Sequence, residues 1–456
     1  MSEDCLFLNI WAPASSTLDK PVPVLFWIHG GGYFMGSGNL PAFFRSEGFA
    51  AAGNVVIVTI NYRLGFLGFG YLGNDDIPGN AGLLDQQMAL EWVNKYISAF
   101  GGDPERITIF GESAGGGSVS AHLGSANSLP LFQSAVVMSG TIESVWSYTT
   151  ADKAIKNTYD FAEYLDCPKS ELISDKSVYD CLFSKDALRL TESISASLLV
   201  PFATPIQGPS DPFFKGRSAL ENMEASKASL ASKVIVLGTT ARESAAMLPI
   251  LHPFTYSYDN VKDWHVSKAD FRSTVEGSLK TAGVDSQIIP NVLKEYGHPS
   301  KHGTTNIERL LSVYSDLMFV CPVLKLAGIL ENLSGEGNVY VYQYNHTNTK
   351  SHFDSAMGPA HTAELNPLFA YPLIEDGWTK EEQVMSRRMI EYWTNLGKIG
   401  KPTPDNAVWP PYKPSTAPMI VLTASEPNVV SAAEKLATCA VWEPSQQSQH
   451  EKRTEL

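Results

Sequence analysis

The stretch of sequence that decides the fold is Ile107-Thr-Ile-Phe-Gly-Glu-Ser-Ala-Gly-Gly-Gly117. Its first four residues are apolar or β-branched and predict a short buried strand. The chain then turns through Gly111-Glu-Ser-Ala-Gly115, and a helix-compatible run follows from Ser118 to Leu123. A strand, a sharp turn that holds a serine and a helix together form the G-x-S-x-G pattern, in which the turn exposes the serine hydroxyl. Ser113 is therefore a candidate nucleophile.

A serine hydroxyl is a poor nucleophile and needs an adjacent base, which a third group orients. Glu243 follows the predicted strand Lys233–Leu237, and His361 follows the predicted strand Val339–Tyr344. The chain order of serine, acid and histidine is that of α/β-hydrolases. A solvated loop glutamate and a surface or helix-capping histidine are the plainer alternatives. The rival base is His352, which lies in the same loop as His361.

An oxyanion hole needs backbone N–H groups that point at the developing charge. The run His29-Gly-Gly-Gly32 ends the predicted strand Val22–Ile28, and glycine lets a backbone approach a substrate closely. The N–H of Ala114, the residue after the nucleophile, adds a further donor. A flexible turn is the alternative for the glycine run.

Buried strands alternate with helices along the chain. This alternation predicts an α/β fold with a mostly parallel, doubly wound sheet. Further strands are predicted at Cys5–Trp11, Val22–Ile28, Val55–Ile60 and Ser134–Met138, and a helix is predicted at Asn80–Phe100.

The domain prediction is a single α/β-hydrolase domain over residues 1–442, followed by a polar tail over residues 443–456. Helical insertions at about 147–232 and 245–335 are expected to form a lid over the sheet. No strand is expected between residues 150 and 230, and residues 401–420 are expected to form a proline-rich surface segment. The remaining predicted helices are Lys153–Leu165, Asp186–Thr191, Ile307–Leu333 and Lys380–Leu396.

Composition excludes several classes of function. The formal net charge of −14 disfavours nucleic acid and anionic membranes as partners. No apolar run of membrane-spanning length and no signal peptide is recognised in the sequence. The sequence contains no CxxC, HExxH or GxxxxGK[ST] motif, so no metal, cofactor or nucleotide is expected.

The chain resembles the type-B carboxylesterase, lipase and cholinesterase family of α/β-hydrolases. The resemblance covers nearly the whole chain and implies a carboxylic ester hydrolase that acts on a small-molecule ester through an acyl-enzyme on Ser113. The alternatives are a lipase with a mobile lid and a non-catalytic binding or adhesion protein on the same fold. The matching stretches are Glu3-Asp-Cys-Leu-Phe-Leu-Asn-Ile-Trp11, Trp27-Ile-His-Gly-Gly-Gly32, Asn61-Tyr-Arg-Leu-Gly65, Gly79-Asn-Ala-Gly-Leu-Leu-Asp-Gln86, Phe100-Gly-Gly-Asp-Pro104, Phe110-Gly-Glu-Ser-Ala-Gly-Gly116, Met138-Ser-Gly140, Cys321-Pro-Val323, Tyr392-Trp-Thr-Asn-Leu396 and Trp409-Pro-Pro411.

The resemblance assigns the nucleophile to Ser113, the acid to Glu243 and the base to His361. It assigns the oxyanion donors to Gly31, Gly32 and Ala114, and it demotes His352 as the base. Together these six assigned residues form the active site that the resemblance implies.

The resemblance also implies two disulfides, Cys167 with Cys181 and Cys321 with Cys439. Reduced buried cysteines are the alternative. Secretion or passage through the secretory pathway is implied in the same way, with a cytoplasmic location as the alternative. The remaining signals are two glycosylation sequons, at Asn332 and Asn345, and the C-terminal Arg453-Thr-Glu-Leu456, which resembles endings that retain proteins in the endoplasmic reticulum.

Two departures from the family pattern matter. Residues 204–214 differ from the usual acyl-side segment, which leaves the acyl preference open. The family also has a segment before Glu3-Asp-Cys-Leu6. Without it we expect an uncovered edge at the strand Cys5–Trp11, an odd thiol at Cys5, and low solubility or weak activity. The oligomeric state is left open.

Overall fold

The computed structural model describes residues 2–40, 45–168, 175–191, 204–208, 211–299, 301–335, 337–351 and 353–443. The rival base His352 and the tail beyond residue 443, with its Arg453–Leu456 ending, lie outside the described residues. Residues 209–210 of the acyl-side segment lie outside them too.

Nine strands form one central sheet in the order β1-β3-β2-β4-β5-β8-β9-β10-β11. The outermost pairs, β1 with β3 and β10 with β11, are antiparallel, and all other neighbours are parallel. The strands of the described residues are β1 Leu8–Trp11, β2 Val22–Ile28, β3 Val56–Ile60, β4 Gly102–Glu112, β5 Ser134–Met138, β6 Thr149–Thr150, β7 Ile206–Gln207, β8 Val234–Thr240, β9 Val339–Tyr344, β10 Pro418–Leu422 and β11 Asn428–Ser431.

Helices cover both faces of this sheet. The α-helices of the described residues are α1 Ser46–Gly53, α2 Gly65–Phe69, α3 Ala81–Tyr96, α4 Ala114–Leu123, α5 Ala151–Tyr164, α6 Asp175–Phe183, α7 Ala187–Leu190, α8 Ala219–Ala225, α9 Lys227–Leu230, α10 Ser244–Leu251, α11 Lys268–Thr281, α12 Ile289–Tyr296, α13 Asn306–Ser315, α14 Cys321–Ser334, α15 Leu365–Leu368, α16 Tyr371–Ile374, α17 Lys380–Ile399 and α18 Ala433–Cys439.

Strand β2 shows why both faces are covered. All seven of its residues are buried, and successive side chains of a strand point to opposite faces. Val24, Phe26 and Ile28 belong to the core that α3, α4 and α14 help to form. Leu25 and Trp27 belong to the core on the other face, with residues of α1 and α17. A strand buried on both faces reads as a continuous apolar run, as in doubly wound sheets. The predicted α/β-hydrolase fold is confirmed.

Register brings the ends of the central strands to one edge. Glu112 at the end of β4 pairs with Met138 at the end of β5, and Met138 pairs with Gly238 in β8. Gly238 in turn pairs with Tyr342 in β9. The loops that follow these parallel strands therefore open on the same side, where open α/β sheets place their ligands.

The expectation of no strand between residues 150 and 230 is wrong. Strand β7 pairs in parallel with β6, whose second residue is Thr150, to form a separate two-stranded sheet. The amide side chain of Asn80 holds β7 in place: its Nδ2 donates to Ile206 O at 2.9 Å, and its Oδ1 accepts from Ile206 N at 2.9 Å. Two-residue strands show no periodic pattern, so only these distant contacts reveal them.

The prediction of a surface segment at residues 401–420 is also wrong in part. Trp409 and Tyr412 are buried at 1% exposure each, and residues 418–422 form β10 in the central sheet. The prolines of this segment suggested a loop, whereas its aromatic side chains pack into the cores.

Some predicted boundaries shift. Helix α4 begins at Ala114, directly after Ser113, and not at Ser118. The first strand begins at Leu8 and not at Cys5. The predicted helix Ile307–Leu333 is α13 and α14 joined by a π-helical turn at Asp316–Val320.

The continuous helical run Asn306–Ser334 bears on the expectation that the chain holds no membrane-spanning run. By length and composition this run could cross a bilayer, with a mean hydropathy of 1.7 over its most apolar window. That window is 83% buried inside the fold, which is the behaviour of a core helix as well.

Candidate active site

Three loops at the carboxyl edge of the sheet bring the predicted site residues together. Ser113 follows β4, Glu243 follows β8 and His361 lies in the loop after β9. Ser113 and His361 line the same cavity, and Glu243 lies behind His361, fully buried.

Ser113 occupies the strained turn that its motif predicts. Its φ of 60° and ψ of −123° lie outside the ordinary strand and helix regions. Such strain persists only where the surroundings enforce it. Gly115 allows the turn to pack, because a Cβ there would overlap the carbonyl oxygen of Ile28 at the end of β2.

A network of short hydrogen bonds holds the imidazole of His361. Its Nδ1 lies 2.6 Å from Oε2 of Glu243. The other oxygen of Glu243 accepts from the Ser139 hydroxyl at 2.6 Å and from the backbone N–H of Thr240 at 2.6 Å. With both carboxylate oxygens occupied, Glu243 and the ring of His361 are restricted to one orientation.

The other nitrogen of His361 faces a second carboxylate. Nε2 lies 3.1 Å from Oε1 of Glu112, without the alignment of a hydrogen bond. Within the described residues the Ser113 hydroxyl has no hydrogen-bond partner, so the bond between serine and histidine that nucleophilic attack needs is not formed. Such bonds often tighten only when substrate is bound.

Three buried carboxyl groups, those of Glu112, Glu243 and Glu364, surround His361. Burial raises the pKa of Glu112 to about 7, and the charge of Glu243 adds to this, while His361 opposes it. Burial, with the charges of Glu112 and Glu243, also raises the pKa of Glu364 well above its ordinary value. Burial thus favours the protonated forms of Glu112 and Glu364.

The pKa of His361 moves in the direction set by these acids. Burial alone lowers it, but the charge of Glu112, the hydrogen bond to Glu243 and the charge of Glu364 outweigh burial and raise the pKa to about 9. Between the pKa values of Glu112 and His361, a protonated imidazole faces a carboxylate across 3.1 Å.

The three candidate oxyanion donors lie beside Ser113. Gly31 and Gly32 line the cavity, and their φ values of 112° and 61° are conformations that favour glycine. Ala114 is buried at the first position of α4. In the described part of the chain the N–H groups of these three residues have no hydrogen-bond partner, so they are free to bind a negatively charged oxygen.

The cavity beside Ser113 is small and mainly apolar. Its volume is about 200 Å³. The π-helical turn contributes Met318 and Phe319, and the Phe319 ring lies 4.6 Å from that of His361, centroid to centroid. The Trp146 indole N–H donates to Met318 O at 2.9 Å, which fixes the wall. The remaining apolar side chains of the lining are Phe34, Met35, Met247 and Ile250.

Sequence reasoning missed Glu112, Ser139 and Glu364 at this site. Glu112 is the variable residue of the G-x-S-x-G motif, Ser139 directly follows β5, and Glu364 lies three residues after His361. Nothing in their local pattern distinguishes them from surface residues, and only the fold shows that all three are buried.

The cysteines pair as the resemblance implies. The sulfur atoms of Cys167 and Cys181 are 2.06 Å apart, and those of Cys321 and Cys439 are 1.94 Å apart. Cys5 is free and half-buried. Asn332 and Asn345, the two sequon residues, are both exposed.

Comparison with known proteins identifies the family of the chain. The carboxylesterase family profile matches residues 1–442. The chain is 32% identical to an acetylcholinesterase of Bungarus fasciatus over 451 residues, which cover 97% of this chain and 72% of that protein. It is 30% identical to an acetylcholinesterase of Leptinotarsa decemlineata over 473 residues, with the same coverage. The chain therefore belongs to the carboxylesterase family and is a serine carboxylic ester hydrolase on the α/β-hydrolase fold.

Proposed function

We propose that the chain hydrolyses small, uncharged carboxylic esters through an acyl-enzyme on Ser113. The observation that carries this proposal is the buried 2.6 Å hydrogen bond between His361 and Glu243, at a cavity that also exposes Ser113. The Ser113 oxygen attacks the ester carbonyl while His361 takes its proton and passes it to the leaving alcohol. A water molecule, activated by the same imidazole, then releases the acid and restores the serine.

In this proposal the backbone N–H groups of Gly31, Gly32 and Ala114 donate the hydrogen bonds of the oxyanion hole. Their free N–H groups lie around the serine, where the tetrahedral intermediate carries its negative oxygen. Glu243 holds the tautomer of His361 with its proton on Nδ1 and stabilises the imidazolium that forms.

Nε2 of His361 has two proposed partners, Glu112 and the Ser113 hydroxyl. In the resting site it faces Glu112, and we propose that it turns to the Ser113 hydroxyl when substrate displaces water from the cavity. The deprotonated imidazole is the active base, so turnover needs the proton shared between Glu112 and His361 to leave first.

The size and lining of the cavity favour short, apolar acyl groups. Its 200 Å³ lies below the usual size of a ligand pocket, which is about 300–1,000 Å³. Three of its lining residues are methionines, Met35, Met247 and Met318, whose flexible thioethers adapt to irregular shapes. We infer a preference for short acyl chains with tolerance of branching.

The helical insertions contribute unequally to this cavity. Met247, Ile250, Met318 and Phe319 all come from residues 245–335, whereas residues 147–232 contribute none of the described lining. We propose that the second insertion carries the acyl specificity of the enzyme within a single domain over residues 1–442. A lipase lid, if the chain has one, would have to move these four side chains.

Choline esters are the second candidate substrate. The relatives described above are named acetylcholinesterases. In this cavity the groups that attract a cation are the Glu112 carboxylate and the aromatic faces of Trp146 and Phe319. Hydrolysis of acetylthiocholine, compared with a neutral thioester of the same shape, decides between a cationic and an uncharged alcohol.

The test of the proposed mechanism is substitution combined with labelling. We expect Ser113→Ala and His361→Ala to lower kcat on p-nitrophenyl acetate by about 10⁴–10⁶-fold, and Glu243→Gln by about 10⁴-fold. A fluorophosphonate probe should label Ser113 alone, and the exposed Ser98→Ala control should keep full activity. Labelling of another serine, or turnover in the Ser113 variant, would contradict the proposal.

A further inference from the structure

Helix α3 has an unusual outer face. Its buried side packs Leu83, Leu90 and Val93 into the core, as an amphipathic helix should. Its solvent side, however, also carries large apolar side chains at a spacing of four residues, a set we call the α3 stripe. The stripe consists of Met88, Trp92 and Tyr96 in α3 and Phe100 at the end of the 3-10 turn Ile97–Phe100 that follows it, exposed by 64%, 36%, 44% and 42%.

The side chains of the α3 stripe are ordered against one another. The ring centroids of Trp92 and Tyr96 are 5.3 Å apart, and those of Trp92 and Phe100 are 6.1 Å apart. Met88, Trp92 and Tyr96 follow one ridge of α3, because residues four apart are neighbours on a helix surface, and Phe100 extends this ridge beyond the end of α3. Contiguous exposed apolar surface of this kind marks interaction sites more often than isolated side chains do.

Two oppositely charged side chains flank the stripe. Glu91 and Lys95 lie one turn apart, next to Trp92 and Tyr96. The Lys95 ammonium lies 5.0 Å from the centre of the Tyr96 ring, and Glu91 accepts from the side chain of Gln87 at 2.9 Å. A negative and a positive group on the same flank make this surface complementary to itself when two helices run in opposite directions.

We propose that the α3 stripe is a docking surface for a second copy of this chain, with the two α3 helices antiparallel about a two-fold axis at residue 93. In that register Trp92 of each copy lies between Trp92 and Tyr96 of the second copy, so the rings interdigitate. Glu91 of each copy then lies opposite Lys95 of the second copy. An isologous contact of this kind closes on itself and makes a dimer, not a chain.

A lipid surface is the competing occupant, since Trp and Tyr are common at membrane interfaces. The net charge of −14 opposes approach to anionic lipid, and the flanking pair offers as much negative as positive charge. The same net charge opposes association of two copies, but at about 0.15 M salt the screening length of about 8 Å confines that repulsion to near neighbours.

The expected association is weak and reversible, because one pair of helices buries less than the roughly 1,600 Å² of a standard interface. Sedimentation velocity over a hundredfold range of protein concentration should show a monomer that converts to a dimer. Trp92→Glu should remain monomeric throughout that range, and Phe183→Glu, a change at a ring elsewhere that is exposed by 76%, should dimerise like the parent chain. Thermal unfolding by circular dichroism checks that each variant is folded.

Charge exchange tests the register. Glu91→Lys alone and Lys95→Glu alone each place like charges opposite one another and should weaken the dimer by about tenfold or more. The double exchange restores opposite charges and should restore dimerisation, and the two single variants should associate with each other when mixed.

Three results would overturn this proposal: a monomer at every concentration, a dimer that persists in Trp92→Glu, or single exchanges that the double exchange does not rescue. Co-flotation of a monomeric chain with phosphatidylcholine vesicles, lost in Trp92→Glu, would assign the stripe to lipid instead. These measurements do not use ester hydrolysis, so their outcome is independent of the proposed function.

Discussion

At the scale of single residues, the site depends on how its buried charges are arranged. Glu243 accepts three short hydrogen bonds, from His361, Ser139 and Thr240, whereas Oε1 of Glu112 has no aligned donor among the described residues. Buried charges are tolerated when they are paired and bonded, and otherwise hold a proton. The two carboxyl groups on either side of His361 therefore differ in role: one orients the imidazole, and the other competes for its proton.

Glu112→Gln should move the pH dependence of hydrolysis. The charge of Glu112 is the largest contribution that raises the pKa of His361 above its ordinary value, so its removal makes the imidazole lose its proton at lower pH. We expect the acidic limb of the kcat/KM profile to shift down by about 1–3 pH units. Rates on p-nitrophenyl acetate from pH 5 to pH 10 measure this shift. The exposed Glu105→Gln control should leave the limb in place, and an unmoved limb in Glu112→Gln would contradict the assigned role of Glu112.

At the scale of elements, the β4–α4 unit and the helices of residues 245–335 have different structural roles at the site. The turn between β4 and α4 is held by backbone packing against β2 and β5, because Cβ atoms at Gly115 and Gly116 would meet the carbonyl oxygens of Ile28 and Met138. The π-helical turn between α13 and α14 instead supplies side chains to the cavity. Backbone packing positions Ser113, and side chains on an irregular helix line the cavity beside it.

Gly115→Ala tests the packing of the elbow. The added methyl group has no room beside Ile28 O, so β2 and α4 must separate and Ser113 must move. We expect a loss of at least about 10²-fold in kcat, since a misplacement of about 1 Å costs that much, and a lower melting temperature. Gly328→Ala, in α14, is the matched control. A Cβ there meets nothing within 4 Å, and alanine should stabilise that helix by about 0.5–1 kcal/mol. Equal activity in both variants would refute the packing argument.

The two disulfides close loops of very different length. Cys321 and Cys439 are separated by 118 residues and tie the start of α14 to the end of α18, whereas Cys167 and Cys181 are separated by 14. Loop entropy predicts a loss of stability of about 5 kcal/mol for Cys439→Ser and about 3 kcal/mol for Cys181→Ser. Urea unfolding of each variant measures the difference.

Peptide mapping without reductant should recover both pairs from protein made in an oxidising compartment, as a secretory location requires. Four free thiols would indicate a cytoplasmic protein.

At the scale of the whole molecule, the acid cluster under the active site makes stability depend on pH. Glu112, Glu364 and His361 all have a pKa that is higher in the folded chain than in the unfolded chain. Each therefore binds its proton more tightly in the folded state. That stabilisation is complete below the unfolded pKa and is lost as the pH rises through the folded pKa. The fold should thus be more stable in mildly acidic solution than in alkaline solution.

Glu364→Gln should remove part of this dependence. Glutamine has the shape of a protonated glutamate but cannot ionise, so the variant avoids a buried charge at high pH. We expect the free energy of unfolding of the parent chain to fall by about 3 kcal/mol or more between pH 5 and pH 9, and that of the variant to fall less. Urea denaturation at several pH values gives both curves. Parallel curves would show that Glu364 does not titrate in the folded chain.

The sequence by itself determined seven of the nine strands of the central sheet, the turn at Ser113 and the family. Strands such as β2, β5 and β9 were predicted within a residue of their ends, because fully buried strands are continuous apolar runs between turn residues. Candidate site residues were found after such strands, as at Ser113, Glu243 and His361, and the resemblance to the family assigned the same three residues.

Only the tertiary structure decided what surrounds those residues. Strands β6 and β7 are too short to show a period, and β10 lies in a segment whose prolines suggest a loop. Glu112 ends β4, Ser139 follows β5 and Glu364 lies in the loop after β9, so their burial and their position beside His361 and Glu243 depend on the register of β4, β5, β8 and β9. Periodicity reports which face of an element is apolar. It does not show which elements become neighbours. In this site the side chains that neighbouring elements bring together determine which groups hold a proton.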